Sequence, residues 1–239
     1  MTDLARVAHT VAVAARGPAS GLLDRLCTAC AQALPVEGVA ISMMAHVDRP
    51  IVRSASDERV TRLEELQFTL GEGPGLAAYL RGEPAWHPDL LQLDHHWPVF
   101  AAEAAALVLS AGWQIRSVVA LPIHLGREPL GVVDLYRRHS GQVDPQLIAQ
   151  ARIAVDAVAV ALMAATAAAG DQAPPWLPPA ETDEVSVDQA VGMVMAQLDL
   201  DPEQALALMR GHAFSHGLML GEVTAAVVAR ELRLTREDG

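Results

Sequence analysis

"SVVALPIHLGREPLGVVDLYR", residues 117–137, is the clearest structural signal in the chain. Two apolar runs flank a polar, glycine-containing turn at Gly126–Glu128, the pattern of an antiparallel hairpin. Upstream, "GVAISMMA" (38–45) and "PIVRSAS" (50–56) read as a second strand pair, joined by a polar turn at Asp48–Arg49. Helical segments surround these strands: Leu4–Ala15, Gly21–Leu34, Glu58–Leu66, Trp97–Gly112 and Asp144–Ala168. In the last, apolar residues recur at Leu147, Ile148, Ala151, Val155, Val158, Ala159 and Leu162, the 3.6-residue period of one buried face. Antiparallel strands flanked by terminal helices imply an α+β domain.

Of the 239 residues 51% are hydrophobic but only 4% aromatic, so Ala, Val, Leu and Met must build the core. The net charge of −12 opposes nonspecific adhesion to nucleic acid or to an anionic membrane. The first ten residues carry Asp3, Arg6 and His9 and do not read as a secretory signal. The longest apolar run, Ala157–Ala169, is 13 residues, against about 20 for a membrane span. A soluble, cytoplasmic protein with no membrane partner is expected. Cys27 and Cys30 lie one turn apart on an amphipathic segment, with no second cysteine pair to complete a metal site, and read as small core residues.

"GDQAPPWLPPAETDE" (170–184) breaks the composition. Its prolines cannot continue a helix and suit a semi-rigid extended linker. The chain divides into residues 1–169, a linker 170–184, and residues 185–239. The last part reads as three helices, a small all-α domain. The first is "SVDQAVGMVMAQL" (186–198), with a capping-box spacing in Ser186 and Gln189. The second starts at Asp201 as N-cap, with Pro202 and Gln204 behind it, and stops at Gly217. The third runs from Gly221 to Leu232. Gly192 stands mid-helix, where glycine costs about 1 kcal/mol relative to alanine. Its expected purpose is close approach by another backbone, of this chain or of an RNA; the alternative is a tolerated glycine that serves no contact.

The hairpin at 117–137, the loop "LGEGPG" (70–75) and the strand-like "PAWHPDL" (84–90) together resemble a GAF domain, over about residues 21–168. The resemblance implies a ligand-sensing module: a central antiparallel sheet with helices packed on one face. Many relatives carry a cysteine after "GEGP"; Gly75 stands there here, which weakens a thiol switch.

"QAVGMVM" followed by "EQALALMRGHAFSHGLMLGEVTAAVV" resembles an ANTAR domain. The matching positions are Ala190, Gly192, Met195, Ala205, Leu208, Ala213, Leu220, Val223 and Val227. The resemblance implies a three-helix module that binds structured RNA and acts in transcription antitermination. Many members carry a basic residue between the alanine and glycine of the first motif; here it is Val191. Residues 183–239 hold 4 arginines against 10 acids, a balance of −6. RNA affinity depends on phosphate neutralisation, so the positive groups must be concentrated. The candidates are Arg210, His212 and His216 on the second helix, and Arg230, Arg233 and Arg236 at the end, a basic stripe if the third helix persists. Gly192 joins them as the bare face.

For the first domain the candidate ligand-pocket residues are Trp86, His87, Trp97, Phe100 and Trp113, with Asp89, His95 and His96 nearby. Small-molecule sites are mostly apolar with a few polar groups. Adjacent histidines seldom chelate one ion, so no metal is assigned and the cofactor stays unknown. No P-loop lysine, H-E-x-x-H or G-x-S-x-G constellation is present, and no enzyme activity is expected. The composite expectation is a signal-responsive regulator, a homodimer built along the terminal helices, binding RNA with two linked stem-loops. The alternative is a sensor whose C-terminal helices bind a protein.

Overall fold

A five-stranded sheet organises the first domain: β1 (Gly38–His46), β2 (Arg49–Ala55), β3 (Ala85–His87), β4 (Ser117–Leu125) and β5 (Glu128–Arg137). The computed structural model describes residues 2–18, 20–46, 49–170 and 187–236. The strand order is β2-β1-β5-β4-β3, with every neighbour antiparallel. The hairpin read from 117–137 is the β4–β5 pair, with Ser117 opposite Arg137 and Leu125 opposite Glu128. The turn expected at Asp48–Arg49 begins in residues outside those described.

Side chains on a strand alternate between the two sheet faces, and here both faces are apolar. Val39, Ile41 and Met43 of β1, Val119, Leu121 and Ile123 of β4, and Val133 and Leu135 of β5 look one way. They pack under α1 (Asp3–Ala14), α2 (Leu22–Ala33) and α6 (Pro145–Ala169). Ala40, Val118, Ala120, Val132 and Tyr136 look the other way. They meet α3 (Glu58–Leu70), α4 (Pro74–Arg81) and α5 (Pro98–Ser110). Helices packed on one face were expected; they cover both. The physical reason is in the strands themselves, whose near-continuous apolar runs leave no face for water.

α6 is long and apolar enough, by length and composition, to cross a membrane. Its Leu147, Ala151, Val155, Val158 and Leu162 are instead buried against the sheet and α1. α3 runs four residues beyond its expected end and stops at Gly71, which has φ +67°. Cys27 and Cys30 are buried as expected, with the Cys27 Sγ 3.2 Å from the Val39 carbonyl. Burial pushes both thiols up to about 12. The folded protein should therefore resist iodoacetamide at pH 8, and both cysteines should alkylate once it is unfolded, counted by mass.

The C-terminal helices are α7 (Val187–Leu198), α8 (Pro202–His216) and α9 (Leu220–Val228). They share a separate apolar core of Ala190, Val191, Val194, Leu206, Met209, Ala213, Val223 and Val227. The Asp201/Gln204 capping box forms at the start of α8. The Ser186 cap and the linker expected at 170–184 fall almost wholly outside the described residues.

Candidate nucleic-acid interface and sensory core

α9 ends four residues before its sequence pattern predicts. It ends at Val228, and Arg230 takes φ +61°, which turns the chain back. Leu234 then closes the small core. The Arg236 guanidinium donates to the Leu198 carbonyl (2.7 Å) at the end of α7, a cation on a helix C-terminus. The expected helical stripe of Arg230, Arg233 and Arg236 is thus corrected. Arg230 and Arg233 remain exposed, but on a turn and an extended tail.

The other candidates divide. Gly192 is exposed, and a Cβ built on it meets nothing within 4 Å. Among the described residues no neighbouring helix uses the bare position. His216 is exposed and stacks on His212 with ring centroids 4.1 Å apart. His212 is only 7% exposed, so it supports His216 from within and is not a surface contact. Phe214 is 52% exposed, which removes it from the core and makes it available to a base or a partner.

Arg210 lies against the first domain. Its Nε donates to the Phe68 carbonyl (3.0 Å) in the last turn of α3. The Leu220 amide, first in α9, donates to Thr69 Oγ1 (2.9 Å). The Thr69 hydroxyl in turn approaches the Met219 sulfur at 3.8 Å. The C-terminal domain therefore sits on the end of α3.

In the first domain the predicted pocket residues only partly converge. His87, Trp97 and Phe100 do come together, with ring centroids of 6.3 and 6.4 Å from the imidazole. All three are buried, and they fill the core beside α5. Burial holds the His87 imidazole below its ordinary pKa, so it is neutral. Among the described residues neither of its ring nitrogens has a hydrogen-bond partner. Trp86 points to the opposite face and is exposed, as strand alternation requires, and Trp113 is half-buried at the core's edge. Asp89 is taken by Arg116 (2.8 Å) and His96 by Asp94 (2.9 Å). A cleft of about 650 Å³ opens elsewhere, at the end of the sheet, among Arg6, Leu34, Arg137, His139, Asp144 and Gln150. None of the five aromatic candidates lines it. Among the described residues no group of three or more potential metal ligands gathers.

Sequence reasoning missed a polar cluster buried between α3 and the sheet. Tyr136 Oη donates to Glu64 Oε1 (2.7 Å), Ser42 Oγ to Glu64 Oε2 (3.2 Å), and Gln67 Nε2 to Glu64 Oε1 (3.2 Å). The Gly75 amide donates to Gln67 Oε1 (2.8 Å), tying the start of α4 to α3. Asp134 is 1% exposed, and among the described residues neither of its carboxylate oxygens has a hydrogen-bond partner. Burial, with the Glu64 charge beside it, raises its pKa far above the carboxylate range, so it holds a proton. A Cβ on Gly75 would stand 2.5 Å from Asp134 Oδ2. A larger residue there would require the Asp134 side chain to move. The available signal was an Asp and a Tyr two apart on one strand, facing a Glu and a Gln three apart on one helix. Glu72, in the same loop, accepts from the Phe100 amide (2.6 Å) and caps α5.

Among known proteins, the GAF domain model matches residues 19–162 and the ANTAR domain model matches residues 180–228. The GAF domain of a phosphoenolpyruvate-protein phosphotransferase from Coxiella burnetii superposes with a TM-score of 0.54 at 15% identity. That alignment covers 70% of this chain and 96% of the other. A GAF domain from A. aeolicus, in an inactive state, gives 0.50 at 14% identity, covering 68% of this chain and 96% of that one. At these identities the likeness concerns the fold. No curated protein matches the chain.

Proposed function

The chain belongs to the GAF domain family and carries an ANTAR domain behind it, and from this we propose how its signal-responsive regulation works. The C-terminal domain binds RNA with two linked stem-loops, and binding alters transcription termination or ribosome access. The protein works in the cytoplasm. The observation that carries this reading is the match of the ANTAR model to residues 180–228, with Gly192 bare and Arg230, Arg233 and His216 exposed on that same small domain. RNA readers use exposed loop bases and backbone phosphates, and Phe214 offers a stacking surface for such a base.

The GAF domain supplies the input. Its buried Glu64–Gln67–Asp134–Tyr136 cluster and the unpartnered His87 are the groups that a small-molecule signal would engage. A homodimer would present two modules to two stem-loops. Leu4 and Val13 of α1 and Val160 and Met163 of α6 are exposed apolar side chains that fit its seam.

The test is binding of the full chain to a pool of two-hairpin RNAs across a salt series, beside an Arg230→Ala/Arg233→Ala variant. Selective, salt-sensitive binding is expected. Removing two phosphate contacts should lower the slope of log affinity against log salt by about 1.5. Binding without selection at low salt would overturn the RNA reading. It would turn attention to a protein partner at the exposed Phe214.

A further inference from the structure

We propose that the seat of the C-terminal domain on α3 is an autoinhibitory dock: RNA binds the undocked form, and Arg210 is the group for which α3 and RNA compete. The inference rests on the RNA-binding reading above and adds its regulation.

The dock is built from the groups that helix ends leave unsatisfied. The Phe68 carbonyl is among the last four of α3, where the helix dipole is negative, and it receives the Arg210 cation. The Leu220 amide is among the first four of α9, and it receives the Thr69 hydroxyl as a cap from the other domain. Thr69 is 3% exposed and Leu220 6%, so the bond between them is shielded from water, while Arg210 is half-buried. A Cβ on Gly71 would come 2.9 Å from the Arg210 guanidinium, so the side chain lies flat over the glycine that ends α3.

Arg210 is one of the four arginines between residues 183 and 239. A module so poor in cations can hardly bind phosphate strongly while one of them is held on a carbonyl of the sensory domain. An RNA that needs the undocked form binds with an affinity reduced by the fraction of molecules docked. α3 also connects the dock to the sensory core. Glu64 and Gln67 anchor the polar cluster, and Phe68 and Thr69 follow directly on the same helix. A ligand that shifts α3 by binding one form better than the other would change the docked fraction.

The experiment uses the full chain and two readouts: hydrogen exchange of the peptides covering 66–72 and 218–223, and affinity for the pool of two-hairpin RNAs. Thr69→Val removes the cap without changing shape. It should speed exchange in both peptides and tighten RNA binding about fivefold, the worth of one hydrogen bond of about 1 kcal/mol. Thr69→Ser keeps the hydroxyl and should behave as the wild type. Arg210→Ala should also speed exchange yet weaken RNA binding, because it removes a phosphate contact together with the latch. This opposition of sign between two variants that both release the dock is the signature.

Faster exchange in Thr69→Val with RNA affinity unchanged or lower would overturn autoinhibition while leaving the RNA reading intact. Unchanged exchange in both Thr69→Val and Arg210→Ala would show that these residues hold no dock. If neither the wild type nor Thr69→Val binds RNA although exchange rises, the RNA reading itself has failed and autoinhibition with it. Should Thr69→Val not fold, judged by tryptophan fluorescence, the exchange and RNA affinity of Arg210→Ala decide the case.

Discussion

A methyl group placed on Gly131 is expected to cost the sensory domain about 3 kcal/mol, the upper part of the range for overpacking a core. Gly131 sits mid-sheet on β5, opposite Met43 of β1 and Ile123 of β4. Its added Cβ would drive into the Ser42 carbonyl and lie 3.1 Å from the Met43 Cα. Both are backbone atoms of a paired central strand. They cannot yield by a side-chain rotation, so the β1–β5 ladder must part locally. Urea unfolding of Gly131→Ala, followed by tryptophan fluorescence, should show the loss. Three of the four tryptophans, Trp86, Trp97 and Trp113, belong to this domain. A midpoint equal to that of the wild type would mean that the strands are less tightly held than the contact implies.

Asp134→Asn should stabilise the protein, and increasingly so as pH rises. Asp134 keeps its proton in the folded state because burial and the neighbouring Glu64 charge oppose ionisation. In the unfolded chain it ionises near the ordinary value. A folded pKa raised above the unfolded one contributes stability that is full below the unfolded pKa and is lost as pH rises through the folded pKa. Asparagine does not titrate, and it has nearly the same shape as the protonated acid. The variant and wild type should therefore melt together near pH 4. By pH 8 the variant should be ahead by about 2 kcal/mol, in the range for an uncompensated buried polar group. The other titratable groups against Asp134, namely Glu64 and Tyr136, are unchanged in the variant, so the difference isolates Asp134. A constant gap across pH, or a less stable variant at pH 8, would refute the protonated state. The function reading gives such a pair a purpose: natural sequences keep a destabilising buried acid where a site needs it.

Much of the architecture was legible because periodicity reports burial directly. The β4–β5 hairpin, the long α6 and the capped α8 all followed from apolar spacing and end signals. Two boundaries did not. α3 continues through "QFTL" because Gln67, Phe68 and Thr69 are each buried by something distant in sequence: the Tyr136 cluster, the Met44 and Leu76 side chains, and the C-terminal domain. α9 stops early because Leu234 has to fold back into the small core, and a helix persisting to Arg236 would carry it away.

The candidate sites were less legible. Aromatic clustering at 86–113 was a sound guide to a core but not to a cleft. His87, Trp97 and Phe100 pack together, while strand alternation turns Trp86 outward. The basic residues were found by type, but charge alone cannot tell an arginine facing solvent from one committed to a helix end, as Arg210 and Arg236 are.

Most strands and helices, and the two families, were legible in local pattern and residue identity. Packing between distant segments puts helices on both sheet faces and brings Glu64, Gln67, Asp134 and Tyr136 into one buried site. It also makes Thr69 the cap of α9. Each of these joins groups up to 151 positions apart in the chain, and no local pattern encodes which distant partner will satisfy a buried polar group.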